Sequence, residues 1–192
     1  MSSSAPKLTP IVRGARRLFS GSVTRAKQAT GGHLHRIEGY SLVDSTVVTG
    51  ERITSEPFLV GGRKWQLLLY PNGVDAEHRD FVSADLRLAY NVLGDFSSAP
   101  ATASYRVSIL DYAGNPAHSR TVGPRRFSTH GTNEAPTGID ELVAKEELRR
   151  TAPFIFRDDR LNVLCDVAVL TVDREPRNKW FMGLRRAFNG YN

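Results

Sequence analysis

The residues able to do chemistry in this chain are one cysteine, two closely spaced histidines and two pairs of adjacent acids. Cys165 is the sole cysteine, and it stands in the run Leu161, Val163, Cys165, Val167, Val169. That alternation reads as the buried face of a strand, where a thiol packs rather than reacts. His33 and His35 flank Leu34, so a strand would put both imidazoles on one face. No carboxylate or further histidine stands near enough in sequence to complete a metal site, and the pair reads as surface. The pairs Asp158, Asp159 and Glu146, Glu147 are adjacent residues in a turn and on a helix, with no spacing that would hold them across a substrate. Gly61 and Gly62 lack the Lys-Ser/Thr of a phosphate loop and read as a hairpin turn. Catalytic, metal-binding and cofactor-binding residues are therefore expected to be absent.

The elements that would position any site are short strands. From His33 onward, β-branched and aromatic runs are cut by Gly, Pro, Asn and Asp, the rhythm of an antiparallel sandwich. Strands are predicted at Leu34 to Tyr40 and at Glu51 to Val60, the latter interrupted by Pro57. Further strands follow at Arg63 to Tyr70, with Trp65, Leu67 and Leu69 on one face, and at Asp80 to Tyr90. Thr102 to Asp111 places Tyr105, Val107 and Ile109 on one face, with Ser104, Arg106 and Ser108 on the other. Leu161 to Val172 is the last. Between Gly138 and Arg150 the spacing of Ile139, Leu142 and Val143 predicts one short helix.

Charge is partitioned along the 192 residues. Residues 1 to 37 carry +7, residues 38 to 173 carry −5 and residues 174 to 192 carry +4. The net +6 and the pI near 9.8 thus belong to the ends, and a phosphate-binding surface on the folded part is not expected. No apolar run approaches the roughly 18 residues of a membrane span. One unpaired cysteine suits a reducing compartment, so a cytoplasmic or nuclear protein is expected. Residues 1 to 28, rich in Ser, Arg, Ala and Gly, read as a disordered basic arm; their Arg-rich, acid-free composition also fits a mitochondrial transit peptide.

Several motifs together resemble a known family. Ile37, Glu38, Gly39, Tyr40, Ser41 and Leu42 are followed by Gly50, Ile53, Ser55, Phe58, Val60, Gly61, Gly62, Trp65, Leu69, Tyr70, Pro71, Asn72 and Gly73. The likeness continues through Asp80, Phe81, Val82, Ser83, Leu86 and Leu88, and through Ser108, Ile109, Leu110, Asp111 and Gly114. It closes on Asp158, Asp159, Leu161, Val163, Cys165, Asp166 and Val167. This pattern resembles the MATH (meprin and TRAF homology) domain of plant MATH–BTB proteins, with the domain placed at residues 29 to 172.

The resemblance implies an all-β, eight-stranded antiparallel TRAF-like sandwich with one short helix. It also implies a module that binds extended peptides of partner proteins and selects substrates for Cullin 3 ubiquitin ligases. A BTB domain needs on the order of a hundred residues, and residues 173 to 192 read as a basic tail. The expectation is a BTB-less adaptor or decoy that meets substrate peptides and pairs with full-length MATH–BTB relatives. Carried over residue by residue, the groove falls on Tyr105, Asp85, Arg106, Thr137, Gly138 and Ile139.

Asp85 stands where the family has an aromatic, and Thr137 to Ile139 stand in the place of an aromatic loop, so the ligand is expected to differ from a Ser/Thr-rich degron. Tyr105 fits a core position beside Val107 and Ile109 as well as a groove position. Trp65, Phe58 and Tyr70 are assigned to packing. Trp180, Phe181, Leu184 and Phe188, spaced helically among Lys179, Arg185 and Arg186, fit either a small amphipathic helix or a tail. The alternative function is nonspecific association of the basic ends with nucleic acid or an anionic membrane.

Overall fold

The two-residue turn at Gly61 and Gly62 shows how local sequence sets this architecture. Both glycines have positive φ, 60° and 69°, as a type I′ hairpin requires, and Val60 pairs with Arg63 across them. The hairpin joins β3 (Phe58–Val60) to β4 (Arg63–Tyr70). In β4 the alternation delivers Trp65, Leu67 and Leu69 to the core, each fully buried. The computed structural model describes residues 24–89, 100–128 and 138–174.

The remaining elements are β1 (Thr24–Glu38), α1 (Tyr40–Thr46), β2 (Ile53–Thr54), β5 (Phe81–Leu88), β6 (Ala101–Leu110), β7 (Pro116–Phe127), β8 (Ile139–Ala144), α2 (Lys145–Arg150), α3 (Ala152–Ile155) and β9 (Arg160–Arg174). One sheet has the order β1-β9-β6-β7, and the other β2-β4-β5-β8 with β3 also on β4. The pairings β2–β4, β3–β4, β4–β5, β5–β8, β6–β7 and β6–β9 are antiparallel. The two inner faces share a core of Trp65, Leu86, Tyr105, Val107, Ile109, Leu142, Leu161, Val163 and Cys165. Ala26–Val172 forms one compact unit.

The expected antiparallel sandwich is present, with differences inside it. Pro57 divides the expected Glu51 to Val60 strand into β2 and β3, because a proline has no N–H for the ladder. The expected helix from Gly138 is a strand as far as Ala144, and the helix begins at Lys145. Its helix-like spacing has a strand cause. Val82 pairs with Val143 and Ala84 with Ile139, so β8 advances four residues while β5 advances two, and the bulge puts Ile139, Leu142 and Val143 inward together.

Tyr40 opens α1 rather than closing a strand, with Gly39 at φ 70° as its cap. The described residues hold three short helices in place of the single one expected. Strand β1 starts at Thr24, inside the stretch expected to be a disordered arm; residues 1 to 23 and the Trp180 to Phe188 segment lie outside the described residues.

The ends of the sandwich are tied by polar contacts. Asp158 and Asp159 form a tight turn with φ of 54° at both residues, which Asp tolerates better than most side chains. From that turn the Asp159 carboxylate accepts from Ser41 N and Oγ, at 2.9 and 2.7 Å. Those bonds hold its pKa below the ordinary range, so one of the paired acids is a clasp for α1. On the other side of α1, Asn72 donates to the carbonyls of Asp44 and Val47, while Lys145 pairs with Asp44 at 2.7 Å and donates to Asn72 Oδ1.

Candidate functional site

A seam runs between the sheets where β5 and β8 of one face β6 and β7 of the other. Asp85 comes from β5, where it pairs with Leu68; Tyr105 comes from β6, and Arg125 from the adjoining β7. Arg125 Nη2 donates to the Tyr105 hydroxyl at 2.8 Å and to Asp85 Oδ1 at 3.3 Å. The Tyr105 hydroxyl in turn donates to Asp85 Oδ1 at 3.4 Å, and Leu86 N donates to the same oxygen at 2.7 Å. The guanidinium carbon lies 5.0 Å from the ring centres of both Tyr105 and Phe127, a cation–π arrangement.

This cluster is largely withdrawn from water, since the side chains of Arg125 and Asp85 are 17% and 29% exposed. Burial raises the Asp85 carboxyl above its ordinary pKa, against the opposing pull of the Leu86 N–H and the Arg125 charge. Burial likewise raises the Tyr105 phenol, with Asp85 adding to the shift, so the hydroxyl keeps its proton. Arg125 Nε is buried without a hydrogen-bond partner. The Asp85 hydrogen bonds among the described residues all use Oδ1, which leaves Oδ2 as an acceptor. The arrangement holds fixed hydrogen-bond donors and acceptors in a half-dry place.

The groove residues expected from sequence divide. Asp85 and Tyr105 meet at the seam, but the Tyr105 ring is buried to 2% and packs edge-on to Phe127, so only its hydroxyl serves the site. Gly138 sits beside Asp85: a Cβ there would stand 3.3 Å from Asp85 Cβ and 3.0 Å from the Ala84 carbonyl oxygen. Ile139 pairs with Ala84 and turns into the core. Arg106 does not join the cluster. One residue along from Tyr105 in a strand, it lies on the opposite face of its sheet and pairs there with Asp166 at 2.7 Å. Thr137 lies outside the described residues. Arg125 was missed because β7 is an edge strand with wet residues on both faces, so it has no hydrophobic period; the available signal was Arg125 two residues before Phe127.

The other candidates carry less. His33 stacks on Phe58 at 4.7 Å and His35 lies 6.4 Å from His33, with no group of three or more metal-ligating side chains among the described residues. Burial pushes the Cys165 thiol up to about 12. A cavity of about 310 Å³ beside α1 is lined by Tyr40, Asp44, Lys145, Arg149 and Phe156, away from the seam. No described helix is long and apolar enough to cross a membrane.

Comparison with known proteins bears on this geometry. The family model described as the MATH domain matches residues 32–167. The chain is 31% identical over 158 residues to BTB/POZ and MATH domain-containing protein 4 of Arabidopsis thaliana, covering 78% of this chain and 31% of that protein. It is 28% identical over 126 residues to TD and POZ domain-containing protein 4 of Mus musculus, covering 64% of this chain and 32% of that protein. The chain therefore spans about a third of the length of these relatives. Among solved structures, Notothenia coriiceps TRAF5 has the same fold, with a TM-score of 0.55, 21% identity, and 76% and 74% of the two chains covered.

Proposed function

Because this chain belongs to the MATH domain family, we propose that it binds an extended segment of a partner protein along the seam that contains Asp85, Tyr105 and Arg125. The observation that carries this reading is the cross-sheet cluster itself: three polar side chains from three strands, Tyr105 buried and Asp85 and Arg125 largely so, beside β7, which is the end strand of its sheet among the described residues. Edge-strand addition supplies affinity through backbone hydrogen bonds, and the side-chain site supplies selectivity. Relatives named as BTB/POZ and MATH proteins support the further reading that the bound partner is a substrate for ubiquitination, with this chain as adaptor or decoy. The role is binding, not catalysis.

The test is recovery of partners from the chain's own cell type. Tyr105→Ala would leave a cavity in the core, so Tyr105→Phe, which removes only the hydroxyl, and Asp85→Asn are the useful variants. Both should recover partners at reduced yield. Equal recovery by wild type and both variants would remove the seam as the binding surface.

A further inference from the structure

We infer that the bound segment is acidic, with two carboxylates four residues apart that meet Arg120 and Arg125 on β7. This deepens the reading that a partner strand lies along the seam, and it rests on that reading. Among the described residues strand β7 ends its sheet, with no neighbour along its outer backbone edge. Between Pro116 and Phe127 it carries His118, Arg120, Arg125 and Arg126 with no Asp or Glu.

Of the three arginines, Arg125 is paired with the Asp85 carboxylate, while Arg120 and Arg126 make no ion pair among the described residues. Arg120 is exposed, and its described hydrogen bond goes to the carbonyl of Ser119 at 3.1 Å. Arg126 is exposed as well. Arg125 offers one nitrogen to Asp85 and Tyr105 together. Across the seam, β8 carries Asp140 and Glu141, which repel an acidic segment and leave β7 as its side of the opening.

The spacing comes from a bulge. Arg120 is in register with Val107 of β6 and Arg125 with Ala103, the shift falling between Ala103 and Tyr105. Five residues of β7 therefore match four of β6, and both arginines project from the face shared by Ala103, Tyr105 and Val107. A regular strand laid along the edge advances about 3.3 Å per residue and repeats its face every second residue. Carboxylates at i and i+4 share a face and reach both arginines; at i and i+3 they point apart. Charged edges also serve to discourage strand pairing, and the experiment separates the two roles.

Three labelled decapeptides of Val and Ser serve as probes: two Glu four residues apart, two Glu three apart, and two Gln four apart. Fluorescence polarisation with the full chain should show the first binding about tenfold tighter than the Gln peptide at low salt, the advantage shrinking as salt rises. Arg120→Gln should remove most of that advantage while leaving the Gln peptide unaffected. Amide NMR shifts show where each peptide sits. If all three peptides shift β7 amides with equal affinity, or if the Glu advantage survives Arg120→Gln, the acidic inference falls while strand addition stands. If none shifts β7 amides, both fall and the basic edge serves only to prevent pairing.

Discussion

Arg125 and Asp85 reach toward each other from opposite sheets, and their 3.3 Å contact makes a polar bridge at the rim of an apolar sandwich. Each neutralises a charge that would otherwise be left in a half-dry place. Breaking such a pair from one side strands the other charge, at about 2–3 kcal/mol here, below the cost of a fully buried pair because both side chains are partly wet. Arg125→Ala and Asp85→Ala should each destabilise by that order. The double variant should lose at least about 1 kcal/mol less than their sum. Urea unfolding measures all three, and strict additivity would show that the contact carries no coupling.

The same pair sets a pH dependence. A carboxyl whose pKa is raised on folding holds its proton more tightly in the native chain. Asp85 therefore favours folding below its unfolded pKa, and that contribution is lost as pH rises through the folded value. Arg125→Gln removes the charge that pulls this pKa down, so the raised value rises further. The Tm deficit of Arg125→Gln relative to wild type should then be smaller at pH 4.5 than at pH 7. An equal deficit at both would detach Asp85 from the effect.

Gly61 and Gly62 share positive φ but differ in surroundings. A Cβ on Gly61 would stand 2.7 Å from Val169 Cβ in the opposite sheet, whereas nothing lies within 4 Å of one on Gly62. Both alanine substitutions bear the backbone strain of about 1 kcal/mol, and Gly61→Ala adds a clash that separates the sheets. Thermal unfolding should rank Gly61→Ala clearly below Gly62→Ala. The reverse order would contradict the packing of the hairpin under β9.

Cys165 is fully buried, and its thiol, pushed up to about 12 by burial, is almost wholly protonated at pH 8. Ellman's reagent at that pH should label the native chain orders of magnitude more slowly than the urea-unfolded chain. Rapid native labelling would place the thiol at the surface and reopen a reactive role.

The amino-acid pattern by itself determined the sandwich. In β9, Leu161, Val163, Cys165, Val167 and Val169 are buried against the opposite sheet while the residues between them are only partly so, and burial of alternate residues is written directly into residue order. The family resemblance, not the pattern, nominated Asp85 and Tyr105 for a groove, and the alternation set Trp65 in the core. Tertiary structure decided what residue order does not encode locally. The parity of β8 depends on a bulge opposite Val82 and Ala84, so its apolar spacing imitates a helix. Strand β7 has no hydrophobic period because it lies at an edge, and it becomes visible only as the neighbour of β6. Arg125 stands 40 residues from Asp85 in sequence, and the contact exists because two sheets close on one core. Arg106 and Tyr105 are adjacent in the chain yet on opposite faces of a strand, so only the one that turns inward reaches the seam.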